Sequence, residues 1–320
     1  FVWIPRYAYR IVYFKDEASK NEYKNGTITE EQAIEEGKLV GYSDSRGIVT
    51  AEGKRVDSII SSSNTTHTMV SKDYFMPHPA FLDGSESGLN NGFENGEWDE
   101  DLEGLWIGKY KAARSNATDT GMGSATSIKV QPGVQSWRAI KIGDMYTYGQ
   151  NYSNELQSHM LKNSEWGVVT YLTESAYGRN GTEINQNTSY ITGYAQESDE
   201  NEDYTSSDGQ KASSTGNVYG VFDLYCRRHT EYVAAYYNGE DANQTYMANG
   251  ESFAKINGKS TKYATVYGIG NDVVMKENYK YGDATYETLN WHLDSGSNLS
   301  QNAIFLNRIG VTVSDRDRYI

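Results

Sequence analysis

Ser214-Thr-Gly-Asn-Val-Tyr-Gly-Val-Phe-Asp-Leu224 constrains the fold of this chain more than any other stretch. Gly216 and Gly220 bracket an apolar run with β-branched and aromatic side chains, the pattern of a buried strand that enters and leaves tight turns. After the insert Tyr225-Cys-Arg-Arg-His-Thr230, a second such run, Glu231-Tyr-Val-Ala-Ala235, follows.

With 320 residues the chain can form one large domain or two ordinary ones, either with a sizeable core. Its 27 Tyr and 31 Gly against only 4 Pro predict an α+β fold with much irregular backbone, unlike a helical bundle. Tyr with Ser, Gly and Asn is also the vocabulary of rigid aromatic anchors and adaptable polar contacts in binding surfaces. A net charge of −14 repels phosphate backbones and there is no basic stripe to offset it, so no nucleic acid is expected as partner. Cys226 is the sole cysteine, which excludes an intramolecular disulfide and paired-thiol metal or redox chemistry. No run of ~18 apolar residues is present, so membrane or pilus attachment is expected only through a segment upstream of Phe1.

Along the chain, Phe1 to Phe14 reads as a strand interrupted or edged by Pro5. Thr29 to Gly37 reads as a short, solvated acidic helix with Thr27 or Thr29 as cap and Gly37 as stop. Residues 43–73 read as loop or small hairpins, and Leu105 to Tyr110 as a core strand. Leu156, Met160, Val168, Leu172 and Ala176 recur on one face, which predicts a helix between Ser153 and Gly178 capped by Ser153 or Asn154. No linker separates two halves, so one domain over 1–320 is expected, with inserted segments near 16–73 and 181–212.

Asp199-x-Asn201-x-Asp203 has the spacing of the first three ligands of a calcium loop, but Tyr204 and Gln210 stand where Gly and a bidentate Glu belong. No cofactor is expected beyond that slender match to a structural calcium. His67, His78, His159, His229 and His292 show no metal-ligand spacing. Gly84-Ser-Glu-Ser-Gly88 has the wrong register for a hydrolase elbow. Trp106, Trp137, Trp166 and Tyr171 sit in apolar contexts and are expected in the core.

Several segments carry a resemblance. Val2-Trp-Ile-Pro-Arg-Tyr-Ala-Tyr9, His78-Pro-Ala-Phe81, Leu102-Glu-Gly-Leu-Trp-Ile-Gly-Lys109, Val134-Gln-Ser-Trp-Arg138, Ser158 to Leu172 and Thr215 to Val233 together span most of the chain. They resemble surface proteins of gut-type Gram-positive bacteria and their prophages that carry a formylglycine-generating-enzyme-like domain, a variant of the C-type lectin fold. Some of these are variable proteins of diversity-generating retroelements. The resemblance implies an α+β, C-type-lectin-like fold. The family's oxidases use a cysteine pair near the C-terminus, and Cys226 is single and elsewhere.

What the resemblance implies is therefore a non-catalytic ligand-binding or adhesive protein at the cell surface or on a phage particle, with a protein or glycan as ligand. A structural subunit of a pilus-like or phage assembly is the alternative, and an oxidase the less favoured one. The expected binding face combines the 290–308 loop with the 225–230 turn. Its candidate residues are Asn290, Trp291, His292, Asp294, Ser295, Ser297, Asn298, Ser300, Asn302 and Asn307, beside Arg227, Arg228 and His229.

Overall fold

The structure, a computed structural model, describes residues 1–43, 48–49, 55–57, 75–83, 98–118, 121–182, 184–185, 187–195, 202–224, 230–238, 262–268, 282, 305–307 and 318–319. It mixes helix and strand, as expected of an α+β chain. Three short strands come first, β1 (Val2–Pro5), β2 (Ala8–Tyr9) and β3 (Ile11–Phe14). Helices α1 (Glu17–Lys24) and α2 (Glu30–Glu35) lead to β4 (Leu39–Ser43), β5 (Ile48–Val49) and β6 (Arg55–Asp57). Next are β7 (Met76–Pro77), β8 (Gly104–Ile107), β9 (Ala113–Arg114) and β10 (Ile128–Lys129), then helices α3 (Ile142–Gln150) and α4 (Asn163–Glu174). The described elements close with β11 (Thr230–Tyr232), β12 (Ala235–Asn238), β13 (Thr265–Gly268), β14 (Phe305–Asn307) and β15 (Arg318–Tyr319). Among the described residues no helix is long and apolar enough to cross a membrane.

β3 organises the N-terminal part because its side chains alternate between two cores. Ile11 and Tyr13 face the main cluster, which holds Ile4, Tyr9, Phe81, Trp98, Leu105, Trp166, Val169 and Tyr171. Val12 and Phe14 face a smaller cluster with Ala33, Leu39 and Tyr42. The strand lies inside an antiparallel sheet of order β15-β3-β4-β5-β6. β1 pairs with β8 instead, in the register Trp3 opposite Trp106 and Pro5 opposite Gly104 at the ladder's end. Pro5 thus stands where its missing donor costs least.

The short helices start where the sequence says they should. Thr29 accepts Gln32 N–H and Gln32 returns a bond to Thr29 N–H, a capping box at 3.2 and 2.8 Å. Gly37, at φ 64, ends that helix. α2 is more than a solvated helix, however: Ala33 is fully buried and Glu30 accepts bonds from Arg10 and Tyr42.

Two sequence expectations are corrected. The helix expected from Ser153 begins only at Asn163, because Glu165 at its third position reaches back to Lys162 N–H at 2.8 Å. Residues 153–161 form a coil instead, and Leu156 is 78% exposed rather than on a core stripe. The Gly216–Gly220 stretch is a surface turn, not a buried strand. Ser214 N–H donates to Val221 O at 2.9 Å and closes the turn, which leaves Tyr219 outside. Burial resumes beyond it: Val221, Phe222 and Leu224 are core, and Phe222 N–H donates to Lys109 O at 2.8 Å.

Candidate functional site

A cleft of about 1430 Å³ opens beside the β1–β8 ladder, between the coil 151–161, the start of α4 and the segment 136–141. Aromatic side chains line it, Trp98, Trp106, Trp137 and Tyr152 among them, and Trp106 is paired with Trp3 of β1. Trp3 and Trp106 face each other across the ladder with ring centroids 5.2 Å apart. The Trp3 indole packs against Gly104, where a Cβ would stand 2.4 Å from the ring; only glycine permits that approach. Phe1 packs on Tyr152 at 5.8 Å along one rim.

Phe1, Trp106, Tyr152 and Leu156 line the cleft and are all exposed, Trp106 to 66%. The expectation that Trp106 is core is therefore overturned. It sits on the outward side of a two-stranded ladder whose inward side carries Leu105 and Ile107. Trp137 is only partly buried: it stacks on Tyr148 at 5.1 Å and donates its indole N–H to Gly123 O at 3.2 Å. Trp166 and Tyr171 are core, as expected. Next to Trp137, the Arg138 guanidinium lies 3.9 Å from the Tyr190 ring centre and forms a cation–π contact in the opposite wall.

The polar corner of the cleft centres on His159. Its Nε2 lies 2.8 Å from Glu165 Oε1 and its Nδ1 2.8 Å from Gln157 O. Two acceptors on the two ring nitrogens are both satisfied only by the imidazolium form. Burial opposes the charge on both partners, yet each outweighs it for the other: His159 is held above the ordinary histidine value and Glu165 well below the carboxylate range. Trp98 and Tyr263 flank the ring at 5.7 and 5.4 Å, and the Lys162 ammonium lies 4.5 Å from the Trp98 ring centre. Lys262 pairs with Asp99 at 2.6 Å.

A second buried carboxylate anchors the far side. Asp223 accepts from Lys111 N–H at 3.1 Å, from Asn187 Nδ2 at 2.6 Å and from Gly193 N–H at 3.0 Å. It ties three chain segments together while standing at φ 60, a left-handed conformation that Asp tolerates better than most residues. Burial raises its pKa from the ordinary aspartate value, with Lys111 and the N–H donors pulling the other way.

Of the residues expected from sequence to bind ligand, Arg227, Arg228, His229, Asn290, Trp291, His292, Asp294, Ser295, Ser297, Asn298, Ser300 and Asn302 lie outside the described residues. Asn307 is in β14, paired with Thr230 of β11, so the end of the 225–230 turn meets the end of the 290–308 loop. Asp199 and Asn201 also lie outside the described residues, whereas Asp203 Oδ1 accepts both Thr205 N–H and Ser206 N–H in a tight turn. Among the described residues no group of three or more His, Cys, Asp or Glu side chains is placed to hold a metal.

Sequence reasoning missed Phe1, Tyr152, Leu156 and the His159–Glu165 pair. One local signal for the last was available: Glu165, three residues after Lys162 and ahead of an apolar run, has the position of a capping-box acid. In comparisons with known proteins, no family model matches the chain and no curated protein matches it.

Proposed function

We propose that this chain is a non-catalytic ligand-binding protein of a cell or phage surface, with the aromatic cleft as part of its binding face. One observation carries the reading: Phe1, Trp106, Tyr152 and Leu156, four large apolar side chains, stand exposed around a single concavity. Soluble proteins rarely leave such groups together without a partner, and aromatic anchors dominate the energetics of recognition surfaces. The C-type-lectin-like form of the α+β fold, and the 225–230 and 290–308 loops as the adaptable part of the face, rest on the sequence resemblance. Flat aromatic faces beside hydrogen-bonding groups suit a glycan or a protein loop alike.

The test is binding of the intact chain to arrays of glycans and to candidate surface proteins, followed by Trp106→Ala and Tyr152→Ala. Each substitution is expected to weaken binding at least about tenfold, as for an interface anchor. Unchanged affinity in both variants removes the cleft from the face. Unchanged affinity after alanine replacement of 290–302 removes the loop.

A further inference from the structure

We propose that His159 is a proton-operated latch that holds the coil 151–161 against the body of the protein and so sets the width of the cleft. The coil carries Tyr152 and Leu156 on the rim and makes a reversal at Gln157, a non-glycine residue at φ 49. Such a backbone conformation persists only where surrounding contacts hold it. At its start, the coil is held to the end of α3 by the Ser158 hydroxyl, which donates to Gly149 O at 2.8 Å and accepts Ser153 N–H at 2.7 Å. Close packing adds to this, since a Cβ on Gly149 would stand 2.6 Å from Met160 N. At the other end Leu161 O accepts Ala234 N–H at 2.8 Å and Gln157 Oε1 accepts the Tyr263 hydroxyl at 3.3 Å. The tie to α4 is His159, which bridges Gln157 O on the coil and the Glu165 carboxylate.

Both bridging bonds need a proton on their own ring nitrogen. When the imidazolium gives one proton to water, one of the two acceptors faces a ring lone pair, whichever nitrogen is left bare. Either way the buried Glu165 carboxylate loses the imidazolium charge beside it and, among the described residues, keeps only Lys162 as a cationic neighbour. If Nε2 is the bare nitrogen, it loses the hydrogen bond as well. The charged and titratable groups around the ring are few. Glu165 favours the cation, and Lys162, at the head of the same helix, disfavours it. Tyr263 and the Asp99–Lys262 pair come from the segments that flank it. Glu165 is 1% exposed and His159 side chain 14% exposed, so solvent does little to replace the lost bond. The protonated state keeps the coil docked, and the neutral state releases it.

The latch acts on the wall whatever the cleft holds, so its test needs no ligand. Amide hydrogen exchange of the intact chain, read as protection factors from about pH 6 to about pH 9, follows the wall directly. The Ser153, Gln157 and Ser158 amides, which bond within the coil, are expected to lose roughly tenfold or more in protection as the His159 imidazole resonances titrate. Amides of β3, paired in the five-stranded sheet, should hold their protection and so separate release from unfolding. In His159→Gln, whose amide donates to Glu165 without titrating, the pH response should vanish. A wall whose protection stays flat through the His159 titration in the wild-type chain overturns the latch, as does an undiminished response in His159→Gln.

Discussion

Replacing Asp223, a buried carboxylate, by alanine removes the acceptor of Lys111 N–H and Gly193 N–H and leaves Asn187 Nδ2 with only Ile191 O, at 3.3 Å, so that each of the three donors has a hydrogen bond unmade. Each orphaned donor costs roughly 1–3 kcal/mol. Alanine at φ 60 adds about 1 kcal/mol of left-handed strain that Asp largely avoids. Removal of a carboxylate that burial disfavours gives part of this back. Taking the low end of the donor cost, a net loss of roughly 3–4 kcal/mol is expected, a large share of a typical folding free energy. Asp223→Asn keeps one acceptor oxygen and the tolerance of positive φ, so it should cost only about 1–2 kcal/mol. Asp223→Gly lacks the strain but not the orphans and should fall about 1 kcal/mol short of alanine. Equilibrium urea unfolding, with the slope checked for constancy, ranks the three. A loss below about 1 kcal/mol for alanine, or an Asn variant as damaged as the Ala variant, refutes the view that this carboxylate is a hub for three segments.

Two further outcomes follow from the same kind of accounting. His78 is wholly buried, with Nδ1 accepting Ala80 N–H at 3.3 Å, and burial pushes its pKa down to about 3. The unfolded chain binds that proton first, near the ordinary value of about 6.5, so stability present at neutral pH is lost as pH falls from there towards about 3. The slope is at most about 1.4 kcal/mol per pH unit, and His78→Asn, which keeps an acceptor for Ala80, should flatten it in a series of Tm against pH. Gly104→Ala places a methyl 2.4 Å from the Trp3 ring and 2.5 Å from Ile4 O. Since backbone as well as ring must move, a loss of roughly 1–3 kcal/mol is expected, with altered Trp fluorescence from the Trp3–Trp106 pair. Wild-type emission and stability would mean that the platform does not depend on glycine.

Local chemistry was legible in the sequence because it involves neighbours in the chain. Thr29 and Gln32 cap a helix from three residues apart, Gly37 ends it, and Pro5 marks the edge of a strand. The mixed α+β character came from composition in the same way. The stripe from Leu156 to Ala176 misled because period alone cannot place a helix start, which is decided here by the Glu165 carboxylate. Core and surface aromatics were likewise indistinguishable by context: Trp166 and Trp106 both sit among apolar residues, yet only the pairing of β1 with β8 turns Trp106 outward.

What tertiary structure alone decided is the site. Asp99 meets Lys262, Arg6 meets Asp101 and Asp223 meets Lys111, pairs separated by 95 to 163 residues. No periodicity or motif encodes such meetings, since each depends on how separate segments pack rather than on spacing along the chain. The sequence determined which short pieces form and that they would be rich in aromatic and polar contact groups. Packing determined that four of those aromatic and aliphatic groups share one cleft, and that His159 of the coil meets Glu165 of α4 at its edge.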